Sequence, residues 1–164
     1  RMLAMSGIRI LMLAIMRQES RFQPQAKSNA AARGLMQFIA TTSNKVAQRL
    51  DRSVFTQDEL FHPATAVEFG SQYIADVNTL FPNLPDAVAA SYNGGEDNVK
   101  RWLVRSRSNE PERYVPELVF SQSKDYTFRV MTGYRMYQLI YDAELRPGAI
   151  IDKASKGRTL WAAA

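Results

Sequence analysis

The segment Arg17-Gln18-Glu19-Ser20-Arg21-Phe22 sets a carboxylate at the end of an apolar run, Leu11 to Met16. On a helix turning 100° per residue, Ile8, Met12 and Ile15 lie within about 40° of Glu19. Leu11 and Met16 flank that stripe, while Arg9, Arg17 and Arg21 fall well away from its centre. Glutamate is seldom found on such a face without a partner. Two roles fit this placement. One is structural: a helix-end carboxylate that reaches solvent or pairs with an arginine. The other is chemical: a carboxylic acid kept protonated by desolvation and ready to act as a general acid.

The elements that must position this group are helical. Apolar residues recur at helical spacing along almost the whole chain, with no sustained alternation, so the fold class is all-α. The spacing predicts a first helix over Ile8 to Ser20, stopping before Pro24, then an irregular segment over 23–37. A second helix, capped by Thr41 or Thr42, runs to Leu50. Pro63 opens a long helix to Leu80. Pro85 and Asp86 start a short one that Asn93-Gly94-Gly95 ends. Asn98 to Val104 forms another, with Val99, Trp102 and Leu103 on one face. Residues 105–110 are a polar loop, and Pro116 interrupts the segment after it. A long aromatic-rich helix spans Tyr126 to Leu145. One domain is expected over residues 1–146, followed by a C-terminal tail over 147–164.

Composition narrows the function classes. The chain has 164 residues, 46% of them hydrophobic, which suits one domain with a real core. A net charge of +5 suits a polyanionic partner of some kind. The basic residues are spread along the chain rather than clustered with aromatics, which argues against nucleic acid. There is no cysteine, hence no disulfide or thiol chemistry, and the single histidine, His62, precludes a multi-histidine metal site. No carboxylate cluster has calcium-loop spacing, so no metal or cofactor is expected. Met2 to Met16 lacks a small-residue cleavage site and is too short to span a bilayer, so it reads as a buried helix.

Four stretches stand out: RQESRF (17–22), SNAAARGLMQ (28–37), AASYNGG (89–95) and KDYTFRV (124–130). Together they resemble the catalytic domain of the soluble lytic transglycosylase family, lysozyme-like enzymes that cleave peptidoglycan glycan strands. The carrying residues are Ile15-Met16-Arg17-Gln18-Glu19-Ser20, then Ser28 with Gly34-Leu35-Met36-Gln37. Ser91-Tyr92-Asn93-Gly94-Gly95 and Asn98-Val99-Lys100-Arg101-Trp102-Leu103 follow. The resemblance covers residues 11 to 141. Ala31 stands where the family usually has Gly, and Ala40 where it usually has Pro. Gln122-Ser123-Lys124 occupies the place of a usual Glu-Thr-Arg before Tyr126, and neither Glu112 nor Glu117 takes a secure register on that late motif.

The resemblance implies a compact lysozyme-like fold and a non-hydrolytic cleavage. Glu19 would protonate the leaving GlcNAc oxygen, and the muramic acid 6-hydroxyl would close a 1,6-anhydro ring on its own anomeric carbon. An internal nucleophile suits a site where the sequence shows one carboxylate and no obvious second one. Ser28 would hydrogen-bond Glu19 or the substrate. Met36 would supply an adaptable apolar wall. Gln37 would offer its amide to an N-acetyl group or the peptide stem, with Tyr92, Asn93 and Tyr126 completing the substrate-binding set. The plainer roles are a loop serine, core filler, a helix C-cap and locally satisfied tyrosines. Trp102 reads as core, and Trp161 as a possible sugar-stacking platform. The implied partner is the peptidoglycan strand, the implied location the periplasm or cell envelope after export, and the resemblance leaves room for further domains N-terminal to Arg1. A goose-type lysozyme, which hydrolyses, and a catalytically silent glycan-binding module are the alternatives.

Overall fold

A computed structural model describes residues 2–116, 118, 121–142 and 144–148, with side chains described from residue 7 onward. The elements are α1 (Met2–Ser20), α2 (Ala40–Arg49), a 3-10 helix (Gln57–Phe61), α3 (Pro63–Leu80), α4 (Pro85–Gly94), α5 (Glu96–Ser106), α6 (Pro111–Tyr114) and α7 (Ser121–Ile140). Among the described residues there is no strand; isolated bridges pair Arg33 with Lys27 and with Phe38 inside the irregular segment. The fold is all-α, as the periodicity implies. Glu117, Trp161 and the tail beyond residue 148 lie outside the described residues.

Local chemistry sets the boundaries. Prolines open α3, α4 and α6 at positions whose N–H has no helical partner anyway. Thr56 and Glu59 form a reciprocal capping box that starts the 3-10 helix. No side chain caps α2, which begins at Ala40 behind Ile39 rather than behind a threonine. α5 starts two residues earlier than its apolar spacing suggests, because Gly95, at φ +81°, lets the chain turn directly out of α4. α7 begins at Ser121, five residues before Tyr126, and ends at Ile140.

Packing centres on α4. Ala87, Val88, Ala89, Ala90 and Ser91 are all buried, so the short helix is enclosed on every side. Small side chains allow that, since each brings a neighbouring helix close without leaving a void. α7 packs across α1 and α4, and α3 packs on α1, α2, α4 and the 3-10 helix. Ala14 of α1 faces Gly133 of α7 so closely that a Cβ on the glycine would sit 3.5 Å from the alanine's. This antiparallel pair brings the end of α1 beside the start of α7. Trp102 is buried at 4% exposure and belongs to the core.

Candidate active site

Glu19 lies in the last full turn of α1. Arg21 and Phe22 both adopt left-handed backbone, φ 52° and 61°, and end the helix there. Ser20 donates its hydroxyl to Met16 O (3.1 Å), tightening the final turn below the carboxylate. Ile15 and Leu11 on the same face are buried. Tyr126, buried in the second turn of α7, donates its hydroxyl to Glu19 Oε1 at 2.6 Å. Burial raises the Glu19 pKa to about 7, and the Tyr126 hydrogen bond, which favours the carboxylate, works against that rise. A carboxyl poised near neutrality is suited both to give and to accept a proton.

The irregular segment packs beside this helix end as a tightly tied loop. Ser28 Oγ accepts from Ala32 N (3.1 Å) and Ala32 O accepts from Ser28 N (3.0 Å), so Ser28 closes its own turn and makes no bond to Glu19. Ala31, in the place of the family's glycine, takes φ +59° in that turn, a strain of about 1 kcal/mol for a residue with a Cβ. Gln37 donates Nε2 to Ala26 O (3.0 Å) and Gly34 O (2.9 Å). Both amide hydrogens hold the loop, and Oε1 alone is left to meet a ligand.

For Met36 the expected role is an apolar wall to the site. Its side chain is fully buried and fills the space beside Gly70, where a Cβ would approach its Cε to 2.8 Å. What it presents to the site is its carbonyl, which accepts the Tyr92 hydroxyl at 2.7 Å. Tyr92 therefore spends its proton on the loop rather than on Glu19, and the bond fixes the loop against the C-terminal end of α4. Asn93 is exposed, and its Oδ1 accepts from Ser123 Oγ (2.9 Å), tying that helix end to α7. Glu19, Tyr126, Tyr92 and Met36 thus converge; Ser28, Gln37 and Asn93 support the surrounding backbone.

Residues 7–115 match the Transglycosylase SLT domain family. The chain belongs to that family. It is 31% identical over 133 residues to a putative soluble lytic murein transglycosylase of Haemophilus influenzae, covering 80% of this chain and 22% of that protein. It is 30% identical over 136 residues to the soluble lytic murein transglycosylase of Escherichia coli K12, covering 82% and 20%. The crystal structure of the 70 kDa soluble lytic transglycosylase of Escherichia coli superposes with a TM-score of 0.74 at 28% identity, covering 86% of this chain and 23% of that one. The chain therefore spans about a fifth of the length of these two relatives.

In this SLT domain the structure adds two residues that the motifs do not mark. Tyr73 of α3 stacks edge-on against Tyr92, ring centroids 5.3 Å apart, and the two enclose Phe38. Burial, then the nearby Glu96 charge, push the Tyr73 hydroxyl far up. Glu96 is thus a second carboxylate in contact with the aromatic wall. In the sequence it reads only as an acidic residue in a first helical turn, favourable for the dipole, and Tyr73 only as a core-facing aromatic of α3. Among the described residues no cluster of histidine, cysteine, aspartate or glutamate could hold a metal ion, and no helix is long and apolar enough to cross a membrane.

Tyr126 lies beyond the matched family segment, yet it is the side chain that touches Glu19. Tyr126→Phe removes a hydrogen bond that favours the charged carboxylate. The Glu19 pKa should then rise further, and the alkaline limb of the pH–rate profile should move to higher pH. Turnover at the optimum should fall about tenfold through lost positioning. An unmoved limb would show that the hydroxyl acts only in packing.

Proposed function

We propose that this domain is a peptidoglycan lytic transglycosylase with Glu19 as its general acid and then its general base. The observation that carries the reading is a desolvated carboxyl at the end of α1, its pKa raised by burial to about 7 and its Oε1 accepting the Tyr126 hydroxyl at 2.6 Å. The protonated Glu19 gives its proton to the oxygen that bridges MurNAc C1 to GlcNAc. As the C1–O bond breaks and positive charge develops at the anomeric carbon, the 6-hydroxyl oxygen of the same MurNAc attacks C1. The 6-hydroxyl proton passes to Glu19, which restores the acid. No water is consumed, and the products are a GlcNAc-terminated strand and a 1,6-anhydro-MurNAc end. The internal nucleophile supplies the effective concentration that a second carboxylate supplies in hydrolytic enzymes. A solved relative, lytic transglycosylase Slt of Pseudomonas aeruginosa, is an inactive glutamate-to-glutamine mutant, which supports one indispensable glutamate.

Ser28, Gln37 Oε1, Asn93 and the Tyr92 ring are the proposed substrate contacts, with Tyr126 orienting Glu19. Peptidoglycan as partner implies work in the periplasm or cell envelope, and the greater length of the relatives fits additional domains in the whole protein.

The second carboxylate gives a hydrolytic reading a concrete form, in which Glu96 would activate water. Its place beside the buried Tyr73 hydroxyl, at the start of α5, speaks against that. Mass spectrometry of digested peptidoglycan separates the two. Transglycosylation yields muropeptides one water lighter than hydrolysis does, and Glu96→Gln should leave that product mass unchanged and turnover within about threefold. Ordinary reducing ends that disappear in Glu96→Gln would establish the lysozyme reading instead.

A further inference from the structure

A cavity of about 300 Å³ lies between the N-terminal end of α4, the α6 segment and α7. Asp86 lines it, six residues and about 9 Å along α4 from Tyr92, so it is separate from the Glu19 site. Asp86 is only 8% exposed. Among the described residues it makes no side-chain hydrogen bond or ion pair at contact distance; its own backbone N–H and the Arg135 charge favour the carboxylate, while burial and the Glu112 charge oppose it. A carboxylate taken this far out of water ordinarily has a partner.

The surroundings define what that partner must be. Val115, Phe128, Met131 and Pro111 supply apolar walls. The charged groups are Glu112 from α6 and Arg135 from α7, both exposed at the cavity. The hydroxyls of Tyr114 and Tyr134 also feel the Asp86 charge. The Tyr114 hydroxyl is buried and makes no well-formed hydrogen bond. Two carboxylates thus face one guanidinium, with the N-terminal end of α4 the other positive element, and the cavity is acidic on balance among its side chains. A hard metal cation would want six or more oxygens, which these walls do not offer. A monovalent organic cation with a short apolar body satisfies charge and walls together.

We propose that this cavity binds a primary ammonium group on a short aliphatic chain, with Asp86 as its buried counter-ion, Glu112 as a second acceptor and Tyr114 beside them. The inference rests on the transglycosylase reading only for the natural source of the group. A peptidoglycan stem bearing a diamino acid with a free side-chain amine presents that chemistry, and the cavity would then hold the stem while Glu19 acts on the sugar.

Two measurements test this. Titration of the 164-residue chain with n-butylammonium, followed by methyl NMR, should shift Met131 and Val115 in the wild type. The shifts should be absent with the uncharged N-butylacetamide, and binding should weaken about tenfold or more in Asp86→Asn. Equal shifts with the neutral amide, or undiminished binding in Asp86→Asn, would overturn the proposal. Should Asp86→Asn fail to fold, the exposed Glu112→Gln serves, with a several-fold loss expected and no loss overturning it. The second measurement compares digestion of peptidoglycan before and after N-acetylation of its free amines. Acetylation makes the wall more anionic, so general attraction to a basic domain would quicken digestion. The proposal requires the opposite: slower digestion by wild type and indifference in Asp86→Asn. Anhydro products from both substrates at equal rates would refute the amine site while leaving the Glu19 chemistry standing; no anhydro product from either would refute that chemistry, and the butylammonium titration would still decide the site.

Discussion

Glu19→Gln is expected to fold normally and to lose turnover by a factor of about 10² to 10⁴, the range supplied by a positioned general acid. Glutamine keeps the shape, and its amide oxygen still accepts the Tyr126 hydroxyl that now meets Glu19 Oε1 at 2.6 Å. It carries no transferable proton. Peptidoglycan digestion followed by muropeptide quantitation measures the loss, and a variant retaining more than about a tenth of wild-type turnover would remove Glu19 from the reaction.

The same substitution has a stability signature whose sign follows from linkage. The folded pKa of Glu19 is raised from 4.5 to about 7 by burial. Between those values the folded state binds more protons than the unfolded state, so the Glu19 contribution to stability is fully present below about 4.5, falls as pH rises and is gone above about 7. The whole difference is at most about 3 kcal/mol, less whatever solvent screening the half-buried group receives. Glu19→Gln should therefore be more stable than wild type above pH 7 and should lose this part of the pH dependence. Thermal unfolding of both proteins across pH 4 to 8 reads it directly. Catalysis shares the window: the acid form disappears above pH 7, so wild-type turnover should decline there.

Gly34→Ala is expected to be the most damaging single methyl in the motif loop. Gly34 has φ +76°, and a Cβ there would lie 1.8 Å from Leu60 O and 2.8 Å from Leu60 C. Those are backbone atoms of the 3-10 helix, so no side chain can swing aside. The loop itself must move, and Gly34 N–H to Ala26 O (2.9 Å) and both Gln37 bonds to Gly34 O move with it. The cost should be about 3 kcal/mol or more, or about 10 °C in Tm, with activity falling as the Met36 carbonyl leaves Tyr92. Gly95→Ala is the control. Gly95 has nearly the same φ, +81°, but open space around it, so only conformational strain should appear, about 1 to 3 kcal/mol because ψ 145° lies near a region that favours glycine. Equal losses at the two positions would show that backbone strain, not the Leu60 contact, rules the loop.

Much of the domain was legible in order along the chain. Pro63 and Pro85 do start helices, Trp102 is core, and the segment over 23–37 is irregular, because each of these depends on neighbours a few residues away. The misjudged boundaries have the same origin. Nothing local requires α7 to start at Ser121; packing of its first turns against α1 and α4 does. Met36 in an apolar motif reads equally as wall or filler, and only the absence of a Cβ at Gly70 decides that its side chain turns inward. Tyr73 and Glu96 carry no motif at all, and they meet because α3 and the start of α5 both border α4.

The sequence alone determined that the chain is all-helical and basic, that it lacks the residues for thiol or multi-histidine chemistry, and that a carboxylate stands in an apolar stripe at a helix end. Those properties are set by residue type and by the 3.6-residue period. The raised pKa of Glu19 was decided by tertiary structure, because its burial is completed by packing and its hydrogen bond comes from a tyrosine 107 positions later. The same holds for Asp86, an ordinary first-turn aspartate in the sequence that becomes a buried charge only when α6 and α7 close over it.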